Sequence, residues 1–146
     1  VAETIIASLP DDFINGYSSG LNIAGNGIYT LAKSDITQDD LDVFLCAVGK
    51  TLQEKGVSIS SVRSGGQTGV DEAGAVMGAA LCVPTTVHAP NDWAFRGTDG
   101  KDIKGQPEAF KERFAAKDLT KILSAAEKLM KKPAMQKKTV AAVKMS

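Results

Sequence analysis

A short glycine loop between a strand and a helix constrains the fold of this chain more than any other feature. Residues 57–62 are rich in Val, Ile and Ser, which predicts a strand, and Ser-Gly-Gly-Gln-Thr-Gly-Val-Asp follows at residues 64–71. The small and apolar residues from about 70 to 81 then predict a helix, and residues 85–89 predict another strand. This order is typical of α/β proteins with a parallel sheet.

The rest of the chain extends the same alternation. Residues 21–24 predict a strand, and Thr37 with Asp40 has the capping-box pattern that begins a helix. That helix is expected to end at Gly56, while Pro107 and Asp118 are expected to begin two further helices. We therefore predict an α/β fold, a Rossmann-like three-layer sandwich with a mainly parallel sheet, over residues 21–132. Residues 1–20 are treated as an N-terminal extension of uncertain structure, and residues 133–146 as a flexible, lysine-rich tail.

Residues 25–27, Gly-Asn-Gly, allow two interpretations. Asn-Gly between apolar flanks is a strong hairpin signal, so residues 21–31 can form two antiparallel strands. The same glycines can instead end a buried strand with a turn that a ligand approaches closely. Periodicity does not separate the two interpretations over so few residues.

Composition disfavours several classes of function. The chain has 17 basic and 17 acidic residues among 146, so no net charge attracts nucleic acid or an anionic membrane. No apolar run approaches the roughly 18 residues of a membrane span. Cys46 and Cys82 stand far apart with no second ligand at metal spacing, so we expect buried apolar cysteines, no protein-ligated metal and a cytoplasmic protein.

The glycine loop carries the strongest chemical signal. In open parallel sheets, ligands bind beyond the carboxyl ends of the strands, where helix N-termini and glycine amides can hold an anion. A branched residue at Gly66 is expected to fill the space of that anion and to oppose a positive φ. The P-loop lysine and the full dinucleotide fingerprint are both missing. The candidate ligand-binding residues of this loop are Ser64, Gly65, Gly66, Gln67, Thr68, Gly69 and Asp71.

The acidic residues of this segment have more than one interpretation. Asp71 and Glu72 suit a ribose hydroxyl, an amine or a metal ion beside a phosphate, and they are the candidate acid-base groups of an enzyme. Alternatively, Thr68 to Asp71 fits a capping box, in which Asp71 only satisfies backbone amides. The glycines at 74 and 78 predict close packing of the helix on the sheet.

A second loop, residues 91–105, is expected at the same edge of the sheet. Trp93 can stack on a flat ring, and Arg96 can pair with phosphate. Phe95 more simply covers the sheet edge, and residues 99–102 predict a solvated turn. His88 at a strand end is a satisfied structural histidine or, less simply, a general base.

The motif at residues 64–71 resembles the signature of the molybdenum-cofactor carrier-like and YpsA-like proteins of the SLOG superfamily, which also includes DprA and the LOG nucleotide hydrolases. The resemblance covers residues 60–90 well. It implies a Rossmann-like fold, a nucleotide or phosphate-bearing ligand, and a homodimer or higher homo-oligomer. It places the motif on Gly65, Gly66, Gly69 and Asp71, and a facing loop on Gly25, Asn26 and Gly27. The loop after the third strand departs from the carriers' pattern, and the glutamates of the LOG hydrolases have no clear counterpart.

Three functions therefore compete. The first is a carrier, sensor or sequestering protein for a nucleotide-like or other phosphate-bearing small ligand, whose identity the sequence leaves open. The second is a hydrolase acting on a phosphoribosyl or N-glycosidic bond of a nucleotide. The third is a DprA-like binder of single-stranded nucleic acid, which the zero net charge disfavours. Residues for a catalytic pair are missing, so we expect the first.

Overall fold

The computed structural model describes residues 19–132. The expectations for the tail at residues 133–146, and for the N-terminal extension before Ser19, fall outside the described residues. The strands are β1 (Ser19–Ile23), β2 (Ile59–Gly65), β3 (Thr85–His88), β4 (Phe95–Arg96) and β5 (Asp102–Ile103). The helices are α1 (Ile28–Leu31), α2 (Gln38–Glu54), α3 (Val70–Ala80), α4 (Pro107–Ala115) and α5 (Leu119–Met130).

The main sheet is parallel, with strand order β1-β2-β3. Ser64 pairs with Ile23 on one side and with Val87 on the other, so the three strands end at the same edge. This pairing confirms the predicted α/β fold and the parallel neighbours β2 and β3. The second strand begins two residues later than predicted and continues to Gly65, into the glycine loop.

The parallel pairing of β1 decides between the two interpretations of residues 25–27. β1 pairs with β2, and the residues after Gly27 form the short helix α1 rather than a returning strand. The hairpin interpretation is therefore wrong. Leu21 and Ile23 contribute to the core from one face of β1, and such burial favours pairing inside the domain over a local turn.

Helix α2 begins as its sequence predicts. The Thr37 side chain accepts a hydrogen bond from the Asp40 amide at 3.1 Å, and the Asp40 carboxylate accepts one from the Thr37 amide at 3.1 Å. These two bonds form the capping box. Gly56 follows the helix at φ +90°, a conformation that glycine adopts without strain.

Close packing of its glycines against strand side chains holds α3 on the sheet. A β-carbon on Gly74 would lie 2.8 Å from Cβ of Ile23, and one on Gly78 would lie 3.1 Å from Cβ of Thr85. Contacts this short require glycine, so the predicted reason for both glycines is confirmed. Helices α2, α3 and α5 pack on one another, and their apolar side chains share one core with β1 and β2.

The opposite face of the sheet is polar in the described part of the chain. Asn22, Arg63 and Thr86 lie side by side across the three strands, and all three are exposed. The second helical layer of the predicted sandwich therefore stays a prediction. Among residues 19–132, no helix is both long and apolar enough to cross a bilayer.

The predicted loop at residues 91–105 contains more structure than its polar sequence indicates. A 3-10 turn covers Asn91–Trp93, and β4 pairs with β5 in a short antiparallel ladder. Residues 97–101 form the turn between these strands, with Gly100 at φ +80°. This hairpin leads to α4, which has Pro107 at its first position, as predicted.

Candidate functional site

Two glycine loops meet at the edge where the parallel strands end. The amide of Val70 donates to the carbonyl oxygen of Asn26 at 3.1 Å, which joins the loop after β2 to the loop after β1. Gly69 has φ +86°, and a β-carbon there would collide with the backbone of Asn26 and Gly27. The two loops are in direct backbone contact, so the position of each loop depends on that of the other.

Ser64 connects three elements at this edge of the sheet. Its side chain is buried, and its hydroxyl lies 3.2 Å from the carbonyl oxygen of Ile23 and also against that of Asp71. A hydroxyl has one proton and donates to one of these oxygens at a time. Ser64 therefore positions β1 and α3 relative to β2, and its hydroxyl is directed into the protein.

Asp71 ties the two loops together through its carboxylate. It accepts a hydrogen bond from the amide of Gly25 at 3.3 Å and a further one from the backbone of Gln67. Burial raises the pKa of the Asp71 carboxyl above its ordinary value of 3.8, and these two hydrogen bonds oppose that rise. A β-carbon on Gly65 would collide with this carboxylate, which explains the glycine at that position.

The capping-box interpretation of Thr68 to Asp71 is wrong. The N-cap of α3 is Gly69, which has no side chain to accept a hydrogen bond. The Thr68 hydroxyl instead donates to the carbonyl oxygen of Arg96 at 2.6 Å and accepts from the amide of Ile28 at 3.4 Å. Thr68 thus joins the glycine loop to β4 and α1.

Two glutamine side chains bind backbone groups of Thr68 and Gly69 in the loop. Gln67 Oε1 accepts from the amides of Thr68 at 3.1 Å and Arg96 at 2.7 Å. Gln38 Oε1 accepts from the Gly69 amide at 2.7 Å, and Gln38 Nε2 donates to the Gly69 carbonyl oxygen at 3.0 Å. The amides of Thr68, Gly69 and Val70 are therefore engaged within the protein, although we expected the loop amides to face a ligand.

The first turn of α3 retains other donors. The first four amides of a helix have no partner within it, and here they belong to Gly69, Val70, Asp71 and Glu72. The amides of Gly69 and Val70 find acceptors in Gln38 and Asn26. The amides of Asp71 and Glu72 remain without a partner inside the helix, at its positive end.

Gly66 has a different role from the one predicted. Its φ is not positive, and a β-carbon there would collide with the ring of Phe110 and lie 2.8 Å from Pro90. The Phe110 ring therefore fills the space beside Gly66 in which the anion was expected. A branched residue at Gly66 would displace Phe110. The predicted reason against such a residue, lost space for an anion and a positive φ, was therefore wrong.

Glu72 lies in a cluster of buried charges. Its carboxylate contacts Arg113 Nη1 at 2.6 Å and Lys117 Nζ at 2.8 Å, and Lys117 Nζ also contacts Asp42 at 2.6 Å. Burial raises the pKa of Asp42, against its hydrogen bond with Lys117. Burial lowers the pKa of Lys117, but its hydrogen bonds with Asp42 and Glu72 outweigh this and raise it overall. Lys117 is therefore held charged between two carboxylates, whereas Arg113 contacts only the carboxylate of Glu72, and burial lowers the pKa of its guanidinium.

A cavity of about 610 Å³ opens beside this cluster. That volume lies within the range of small-molecule sites. We call the part lined by Ile28, Ala32 and Ile36 the apolar wall, and the part lined by Glu72, Arg113 and Lys117 the floor. Its lining residues are Ile28, Ala32, Asp35, Ile36, Thr37, Gln38, Thr68, Glu72, Gly97, Thr98, Arg113 and Lys117.

The predicted residues of the second loop lie near the site, but their side chains contact other groups of the protein. Trp93 packs edge-on against Phe110, with ring centroids 5.4 Å apart, and is about one third exposed. Arg96 forms two hydrogen bonds with Asp102, at 2.8 and 3.2 Å. Phe95 is buried against Phe110, which agrees with its predicted covering role.

Within residues 19–132, no group of three or more His, Cys, Asp or Glu side chains is arranged to hold a metal ion. His88 is exposed at the end of β3, beside Gly65 in the register. Comparisons with protein-family models, curated proteins and solved structures found no significant match to this chain. The resemblance at residues 64–71 therefore remains an expectation, and the geometry of the two loops is the basis for a proposal about function.

Proposed function

We propose that this protein binds a phosphate-bearing, nucleotide-like small ligand, as a carrier, sensor or sequestering protein. The observation that carries this proposal is the fixed contact between the two glycine loops at the carboxyl edge of three parallel strands. Parallel sheets bind ligands at this edge. Loops that are already ordered lose little conformational freedom when a ligand binds, which favours affinity.

The phosphate is expected at the N-terminus of α3, beside the loop of residues 24–27. The amides of Asp71 and Glu72, which have no acceptor within the helix, and the positive end of the helix dipole favour an anion there. Gly25, Asn26 and Gly27 are exposed or half-buried, so a ligand can reach them. This placement replaces the predicted contact with the amides of Thr68 and Gly69, which already have acceptors.

Gly27 offers a clean test of this placement. It has φ −71° and ψ 163°, which valine adopts readily, and a β-carbon there would lie 3.7 Å or more from its neighbours. Gly27→Val should therefore fold normally and place a branched side chain at the mouth between the two loops. Ser34→Val adds the same side chain at an exposed residue of the same segment, as a matched control.

Calorimetric titration with pyrophosphate and with nucleoside monophosphates measures the effect. We expect the wild-type protein and Ser34→Val to bind these ligands with the same affinity. Gly27→Val should bind them at least about tenfold more weakly, since at least one charge-assisted hydrogen bond is lost. Equal binding by Gly27→Val, or absence of binding by the wild-type protein at millimolar ligand, would overturn the proposal.

A hydrolase is the second candidate, and one observation favours it. The raised pKa of Asp71 would help its carboxyl act as a general acid beside a phosphoribosyl group. Glu72 is a poor partner for this role, since Arg113 and Lys117 occupy both of its oxygens. Release of free base from nucleoside monophosphates tests this candidate, and it requires that Asp71→Asn abolish the release.

A further inference from the structure

The cavity beside the buried charges has features that the phosphate does not use. Its floor contains two cations, Arg113 and Lys117, and each is paired with a carboxylate. Asp42 and Glu72 balance them, so the floor has no net charge, and Asp35 adds a negative charge at the rim. An anion entering here would gain no net attraction.

Two donors on this floor have no acceptor among the described residues: Arg113 Nε, which is fully buried, and the third N–H of Lys117, which a ligand in the cavity can use. A lysine ammonium has three N–H donors, and Lys117 directs two of them to Asp42 and Glu72, at 2.6 and 2.8 Å. The third suits a neutral acceptor such as a carbonyl oxygen. By contrast, the polar atoms of the Gln38 side chain are already bonded to Asp42 and Gly69 within the described structure.

The apolar wall suits a flat apolar surface. Ile28, Ala32 and Ile36 line it, and Asp35 is the one charged residue of segment 28–36 that also lines the cavity. Thr68 belongs both to this cavity and to the glycine loop. A single ligand can therefore extend from the loop edge into the cavity.

From these features we infer that the cavity holds the uncharged ring of the ligand and selects rings with a carbonyl oxygen facing Lys117. This inference rests on the proposed function and deepens it, because it names the class of ligand: an oxo-purine or similar carbonyl-bearing ring. A ring with an amino group at that position presents a donor to a donor and loses the hydrogen bond.

Inosine and adenosine monophosphates provide the matched probes, since their rings differ at this carbonyl or amino position. We expect inosine monophosphate to bind about tenfold more tightly than adenosine monophosphate in calorimetric titration. Ala32→Phe fills the cavity and should weaken binding of inosine and its monophosphate by tenfold or more. Ala115→Phe makes the same exchange at an exposed residue of α4 outside the cavity and should have no effect.

The outcomes separate this inference from the proposed function. Pyrophosphate binding should be unchanged in Ala32→Phe and reduced in Gly27→Val. If pyrophosphate binds but the two monophosphates bind equally, or Ala32→Phe has no effect on them, the ring site is wrong and the phosphate site stands. If inosine binds in an Ala32-dependent way while pyrophosphate does not bind, the proposed phosphate site fails. Thr98→Trp, at the exposed rim, replaces Ala32→Phe should that variant not fold.

Discussion

The carboxylate of Asp71 accepts a hydrogen bond from the amide of Gly25, 46 residues earlier in the chain, at 3.3 Å. It lies where the two loops meet, so its negative charge is close to the expected phosphate. Asp71→Asn keeps an acceptor oxygen of the same shape and removes the charge. We expect pyrophosphate affinity to rise by about threefold or more because the repulsion is relieved.

The same exchange has a consequence for stability that depends on pH. The folded-state pKa of Asp71 is raised, so the folded state holds a proton that the unfolded state releases. Charging Asp71 therefore costs stability as pH rises from near 3.8 through the raised folded pKa. The stability of Asp71→Asn relative to the wild type should grow over this range in denaturant melts. A constant difference would contradict the raised pKa.

Lys117 should be far more important for stability than an exposed lysine. Lys117→Met leaves the buried carboxylates of Asp42 and Glu72 without one of their partners, which costs about 3–5 kcal/mol of unfolding free energy. Lys50→Met removes an ion pair with Glu127, whose side chain is 59% exposed, and should cost about 1 kcal/mol or less. Urea unfolding of both variants gives the comparison. Similar losses would mean that the buried cluster adds nothing beyond a surface pair.

Gly78 should not tolerate alanine, although alanine favours a helix. A β-carbon there would lie 3.1 Å from Cβ of Thr85 and still closer to its hydroxyl. We expect Gly78→Ala to destabilise the protein by roughly 1–3 kcal/mol, because overpacking outweighs the gain in helix propensity. Adding Thr85→Ala should recover part of the loss by removing the hydroxyl. A more stable single variant would show that α3 does not lie this close to the sheet.

The two cysteines should differ strongly in reactivity. Cys46 is fully buried, and burial together with the nearby charge of Asp42 raises the pKa of its thiol to about 12. Cys82 is exposed. A thiol reagent at pH 8 should therefore modify one group per folded chain quickly and the second only after unfolding. Rapid reaction of two groups in folded protein would contradict the burial of Cys46.

Local patterns predicted the framework because their causes are local. The capping box of Thr37 and Asp40 acts through neighbours in the chain, and the small residues at 74 and 78 mark a helix face that packs closely on strand side chains. The parallel sheet follows from the order of such elements. These parts of the fold could be predicted from the sequence without knowing which strand residues the glycines contact.

The site itself depends on partners that no local pattern names. Gln38 stands 31 residues before Gly69, whose amide and carbonyl group it binds, and Arg113 follows Glu72 by 41 residues. One signal was available for the charge cluster. Asp42 lies three residues before Leu45 and four before Cys46, on the buried side of α2. A buried carboxylate requires a cation, and that requirement alone predicts a distant Lys or Arg.

Because Val70 contacts Asn26, the geometry of the site depends on whether β1 is paired with the rest of the sheet. Asn26 follows β1, which pairs only with β2 in the described sheet, and Val70 begins the helix after β2. The two halves of the site thus reach their positions only when β1 is docked. Detachment of that strand would abolish the proposed ligand binding even while α2, α3 and α5 remained packed. Ligand would in turn hold the strand in place and slow amide exchange along β1.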